Sequence, residues 1–286
     1  MVRYNLIPRL LSIQPETLSC CLHTIVSLCF LACYMSMAFI ILIADIKYVN
    51  NRFLANGFAS MGYLFSIWVL ASETIFFGMY SAIDLLQIYC KQSEKALKIC
   101  QTLRNVASHM LFSVVFPLSL VVAILFWGFY FWDRELIYPA ILDELLPPFI
   151  NHMMHTYPVP LSILYMFTEI KKEPPKYKTL GLLTVFITIY SFLFLDARKK
   201  RGQWVYPALE ALTPLQAIWV LTSSLIGSFV FFFLGYYIYS KIKGTIKLFK
   251  TYLFLNTRDI NFFYILIFNY NKDMVICDTI NAISVS

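Results

Sequence analysis

Two histidines three residues apart, with an asparagine beside them, make the densest polar cluster in an otherwise apolar stretch: Asn151-His152-Met153-Met154-His155-Thr156. On a helix, positions three apart share a face, so His152 and His155 would present their imidazoles together. An imidazole can serve as a general base when a nucleophile stands within hydrogen-bond reach. Hydroxyls are available at Ser60, Ser66, Ser72 and Thr74, and Glu73 adds a carboxyl in the same segment. The same residues have plainer uses. Histidine and asparagine hydrogen-bond across packed helices, and a carboxyl buried in a membrane span is commonly a protonated or paired structural group. Metal binding is a third use, but the chain has four histidines in all, His23 and His109 being the others. That is neither the histidine-rich set of a di-iron centre nor a matched haem pair, so no metal and no cofactor are expected.

The elements that must position these groups follow from composition. Of 286 residues, 59% are hydrophobic and only 14% charged, with a mean hydropathy of +0.68. A soluble domain carries about a quarter charged residues, so this chain lacks the polar surface to cover a globule. Its apolar residues come in continuous runs long enough for a helix to cross about 30 Å of hydrocarbon, where every backbone group must pair internally. The expected fold is therefore all-α: a polytopic transmembrane helical bundle of about six spans, near residues 19–44, 60–86, 106–132, 149–170, 178–195 and 214–240. Residues 1–245 form that domain, and residues 246–286 read as a divergent tail with an apolar run too short to span. The net charge of +7 reflects short basic loops, and no nucleic-acid motif accompanies it. Seven cysteines without a CxxC pair support neither zinc nor a disulfide framework. The first apolar run is too long for a signal-peptide core.

Six spans predict which groups share a depth. Ser66 lies about six residues into span two and His155 about six into span four, and both spans run the same way. At about 1.5 Å per residue both would sit roughly 9 Å below one face. Fourteen of the lysines and arginines up to Lys250 fall on the side of the N-terminus and seven on the other, which favours a cytosolic N-terminus. Arg198-Lys199-Lys200-Arg201 then stands on the wrong side for that bias. Either the span count is off by one and the cluster is cytosolic, or the cluster (Arg198 and Arg201 above all) with Arg134 rims a cavity above Ser66 and His155 and attracts a substrate carboxylate.

At these residues the chain resembles a known family, that of the androgen-induced gene protein and the androgen-dependent TFPI-regulating protein. Four segments carry the resemblance, in order and spacing, over roughly residues 20–240: Phe76-Phe77-Gly78; Asp133-Arg134-Glu135-Leu136-Ile137-Tyr138-Pro139; Asn151–Thr156 with Pro160; and Trp204-Val205-Tyr206-Pro207 followed by Glu210. The resemblance implies an integral membrane hydrolase of fatty acid esters of hydroxy fatty acids, with a threonine nucleophile and a histidine. The histidine falls on His155. Counting back without gaps from Phe76-Phe77-Gly78, the threonine position falls on Ser66, which can do the same hydroxyl chemistry. A second register uses Arg52-Phe53-Leu54-Ala55 and places Ala55 there, leaving no catalyst. Three functions thus remain open: a lipid ester hydrolase using Ser66 and His155, with Asn151, His152 and Glu73 in support; an inactive member that binds lipid or protein; and a small transporter or channel using Glu73 and His155. The expected partners are a lipid substrate and a membrane, either endomembrane or plasma membrane.

Overall fold

The computed structural model describes residues 15–47 and 61–256, which are helices joined by short connections, with no strand among them. In chain order the helices are α1 (Pro15–Lys47), α2 (Phe65–Tyr89), α3 (Glu94–Met110), α4 (Phe116–Asp133), α5 (Ile141–Leu145), α6 (Pro148–His155), α7 (Pro158–Thr168), α8 (Lys176–Arg201), α9 (Pro207–Glu210) and α10 (Pro214–Asn256). Five stretches are long and apolar enough to cross a membrane: Thr17–Ile40, Phe65–Tyr89, Glu94–Leu136, Lys176–Arg201 and Pro214–Thr245. Residues Ser19–Ser240 form one compact unit, and the chain ends beyond them group separately. The segment Arg52–Ala55 and residues 257–286 lie outside the described residues.

The helix boundaries have local causes. Ser93 caps α3 by accepting a hydrogen bond from the Ala96 amide at 3.4 Å. Prolines open α6, α7 and α9, where a missing N–H costs nothing. Gly202 ends α8 in the left-handed region at φ +71°, with its amide bonded to the Arg198 carbonyl. Between α3 and α4 the helix widens into a π-turn, Leu111–Val115, where the Phe116 amide reaches back to Leu111. Pro117 has no amide to give to the carbonyl four residues earlier, and the extra residue in the turn absorbs that break without ending the helix.

The fourth crossing is made in two pieces. Span 149–170 is interrupted at Thr156-Tyr157, with Pro158 restarting the helix as α7. It still traverses the bundle. His155 lines a cavity with Ser66 at the start of α2, whereas Glu169, at the end of α7, contacts His23 and Arg104 beside Asp84 near the far end of α2. The centre is packed by Phe30, Phe76, Phe77, Tyr80, Phe112, Phe116 and Leu118, all fully buried. Phe76 and Phe77 are thus core. Gly235 lets α10 approach α4 closely: a Cβ there would stand 2.9 Å from the Phe116 ring.

Candidate functional site

His155 is the last residue of α6, on the shoulder of the break. The Thr156 and Tyr157 amides both turn back to the His152 carbonyl at 2.9 Å, which ends the helix there. The His155 Nδ1 atom lies 3.0 Å from the Asn151 carbonyl and 2.8 Å from Asn151 Oδ1. Both partners can only accept, so Nδ1 carries the proton and donates. Nε2 therefore holds the lone pair, which is the form a general base requires. The ring lies flat on Phe126, with centroids 3.6 Å apart and planes within 8°. Its orientation is fixed from two directions, and the side chain is only 7% exposed.

Ser66 is the second residue of α2. The start of that helix has no side-chain cap from its own residues. It is held from outside by Tyr206, whose hydroxyl accepts the Phe65 amide at 2.7 Å. Tyr190 donates to the Tyr63 carbonyl at 3.1 Å and is hydrogen-bonded to Tyr206. Burial pushes the Tyr206 phenol up to about 12, so it remains a neutral acceptor and donor. Ser66, His155, Phe65, Phe126, Tyr190 and Tyr206 all line one cavity of about 320 Å³, the rest of whose wall is mostly apolar. That volume falls in the range of small-molecule sites, about 300–1,000 Å³. Neither Ser66 Oγ nor His155 Nε2 has a hydrogen-bond partner among the described residues.

The other residues singled out in the sequence lie apart from this pair. His152 Nδ1 is 3.0 Å from the Thr156 hydroxyl, and the Trp127 indole donates to that hydroxyl and to the His155 carbonyl at 3.2 Å each. His152 thus braces the break and does not line the cavity. Glu73 is fully buried; Ser119 Oγ lies 2.7 Å from its Oε1 and also donates to the Val115 carbonyl. One hydroxyl has one proton, so both bonds hold together when Glu73 is the protonated acid. Its Oε2 has no partner among the described residues. Arg134 pairs with Asp143 at 2.7 Å. Arg198 pairs with Glu210 at 3.6 Å and covers the Trp204 ring, while Arg201 covers Tyr63. None of these three arginines lines the cavity. Sequence reasoning assigned no part to Phe126, took Tyr206 only as part of the Trp204–Pro207 segment, and missed a buried polar cluster at the opposite end. There His23 Nδ1 meets Asp84 at 2.7 Å, and Glu169 stands 3.6 Å from both His23 Nε2 and Arg104.

The family model described as FAR-17a/AIG1-like protein matches residues 23–241. The chain belongs to that family. Within this FAR-17a/AIG1-like family, it is similar to the human androgen-induced gene 1 protein, 33% identical over 150 residues that cover 51% of this chain and 62% of that protein. The mouse androgen-dependent TFPI-regulating protein is 32% identical over 52% of this chain and 63% of its own length. The human androgen-dependent TFPI-regulating protein is 30% identical over 66% of this chain and 74% of its own. The chain thus spans about three fifths of the length of the first two of these relatives. No solved structure matches it. The FAR-17a/AIG1-like match includes every residue of the cavity wall and the His23 cluster.

Proposed function

We propose that this chain is a membrane-embedded hydrolase of lipid esters, with Ser66 as nucleophile and His155 as base. One observation carries the reading: Ser66 and His155 line the same cavity, and Asn151 holds His155 with Nε2 unprotonated. Ser66 Oγ bonds to the ester carbonyl carbon while its proton passes to Nε2. The bond from that carbon to the alcohol oxygen then breaks, and the same proton leaves on the alcohol. Water repeats the sequence on the acyl-serine, releasing the fatty acid and restoring Ser66. Asn151 acts as the orienting member, fixing tautomer and ring direction, a task that needs an acceptor and not a charge.

The substrate class proposed is the fatty acid ester of a hydroxy fatty acid, as the family resemblance implies. A mostly apolar wall suits its acyl chain. Arg134, Arg198 and Arg201 stand at the same end of the bundle. In this reading they draw the free carboxylate toward the surface, and because Arg134 and Arg198 already pair with acids, their individual effects are small. The test is ester turnover by the purified full chain in lipid vesicles. Wild type should release free fatty acid, and Ser66→Ala should release none above the lipid blank. Turnover by Ser66→Ala equal to wild type would remove Ser66 from the mechanism.

A further inference from the structure

We infer that the cavity opens sideways into the bilayer between α8 and α10, and that the acyl chain of a membrane lipid ester enters there. The identity of the ester rests on the hydrolase reading; the opening does not. On α4 the wall residues Val121, Val122 and Phe126 are buried and Leu125 and Phe129 are half-buried; none is exposed. The end of the cavity is roofed by Ala208 and Leu209, both buried as well. Three wall residues are exposed, and all lie on α8 or α10: Leu195 at 56%, Leu225 at 44%, and Thr222.

Depth says what they are exposed to. Leu225 is about 16 Å along α10 from Pro214, and Leu195 about 9 Å along α8 from Arg201, at 1.5 Å per residue. Both positions are inside the hydrocarbon layer of about 30 Å. The surrounding surface is apolar, with Phe192, Trp219 and Ile226 among the most exposed side chains. The α10 hydroxyls on the wall are spent on their own helix. Thr222 donates to the Ile218 carbonyl, Ser224 to Val220 and Ser228 to Ser224. Among the described residues, the exposed wall positions at the opening are two leucines and a threonine already bonded to its own helix, so its occupant is hydrocarbon.

The test places a bulky indole in the opening. Leu225→Trp and Leu195→Trp replace exposed side chains, so folding should survive, and thermal unfolding in detergent checks that. Ile226→Trp is the control: it is adjacent, 62% exposed, and not on the cavity wall. A fatty acid ester carrying a mid-chain diazirine is dissolved in phosphatidylcholine vesicles and photolysed. Labelling is read by mass spectrometry on the peptides bearing Leu221 and Phe129. Both Trp variants at the opening should lose at least tenfold in this labelling and in turnover of the same ester. Reaction of Ser66 with a small water-soluble fluorophosphonate should stay within about twofold, and Ile226→Trp should match wild type. Unlabelled wall peptides in wild type would overturn the opening, as would wild-type labelling in Leu225→Trp. Labelling that the Trp variants block, with no turnover by any protein, would keep the opening and discard the hydrolase. Should either Trp variant unfold early, Leu225→Phe and Leu195→Phe give the same readings in smaller steps.

Discussion

His155 and His23 sit at opposite ends of one bundle, both buried, and each has Nδ1 held within 3.0 Å of a side-chain oxygen. They differ in what remains. His23 has carboxylates toward both nitrogens, Asp84 on one side and Glu169 on the other, and Arg104 closes the set. His155 has neutral acceptors on Nδ1, a phenyl ring against its face, and Nε2 left over beside a cavity. An imidazole engaged on both sides ties α1, α2, α3 and the end of α7 together. An imidazole with one nitrogen unspent can move a proton. The same residue type is therefore fully engaged at one end and has a nitrogen to spare at the other, where the proposed hydrolase reading uses it, and burial alone does not separate them.

The comparison can be broken by exchanging the expected losses. His155→Ala and Ser66→Ala should each lower ester turnover by about 10³-fold or more, since members of one catalytic unit are not additive. The unfolding temperature of Ser66→Ala should stay near wild type. Asp84→Ala should do the reverse. It removes the 2.7 Å partner of His23 Nδ1 in a buried site while Arg104 keeps Glu169 and Gln87, at a cost of about 1–3 kcal/mol, which a detergent unfolding curve would show as a clear drop. The fraction that stays folded should keep its fluorophosphonate labelling at Ser66. A stable but inactive Asp84→Ala protein would mean that the His23 end takes part in the chemistry.

Smaller changes sharpen the contrast. Asn151→Ala should lower kcat about 10²-fold with little change in KM, because it frees the ring and its tautomer without touching the acyl-chain wall. Tyr206→Phe removes the acceptor for the Phe65 amide, a hydrogen bond contributing roughly 1 kcal/mol. A kcat loss of about five- to tenfold, with KM unchanged, is expected. Neutralising Arg134, Arg198 and Arg201 together should raise KM about two- to threefold for an ester bearing a free carboxylate. An uncharged ester of equal length should show no such change, and equal loss on both would end the role given to these arginines.

Much of the architecture was legible because it follows from periodless apolar runs and the loops between them. The break at Thr156-Tyr157 was less so, since Pro158 and Pro160 are compatible with either a kinked span or a split one. Matched depth placed Ser66 and His155 on one cavity wall, and Asn151 was a candidate to orient the base. The tautomer needed the structure, because Asn151 binds through both its side chain and its backbone. His23 was passed over as an isolated residue. Depth reasoning would have found its partners, for Asp84 and Glu169 sit near span ends on the same side, each an acid in a mostly apolar stretch. Tyr206 was visible only as part of the Trp204–Pro207 segment, with no sign of a partner. Its acceptor role depends on how the loop after α8 folds back over α2, and no spacing encodes that.

Glu73 bears on how the bundle is made. α2 carries two acids, Glu73 and Asp84, into a region where an acidic side chain at a helix centre costs about 2.5–3.5 kcal/mol on insertion scales. Asp84 meets His23 on α1, a helix already synthesised when α2 emerges. Glu73 must wait, because Ser119 lies 46 residues further along the chain. At about 5–20 residues per second, that is a delay of a few seconds. The Glu73–Ser119 contact thus ties α2 to a helix that does not yet exist when α2 is made, and it closes only once the α3–α4 run has been synthesised.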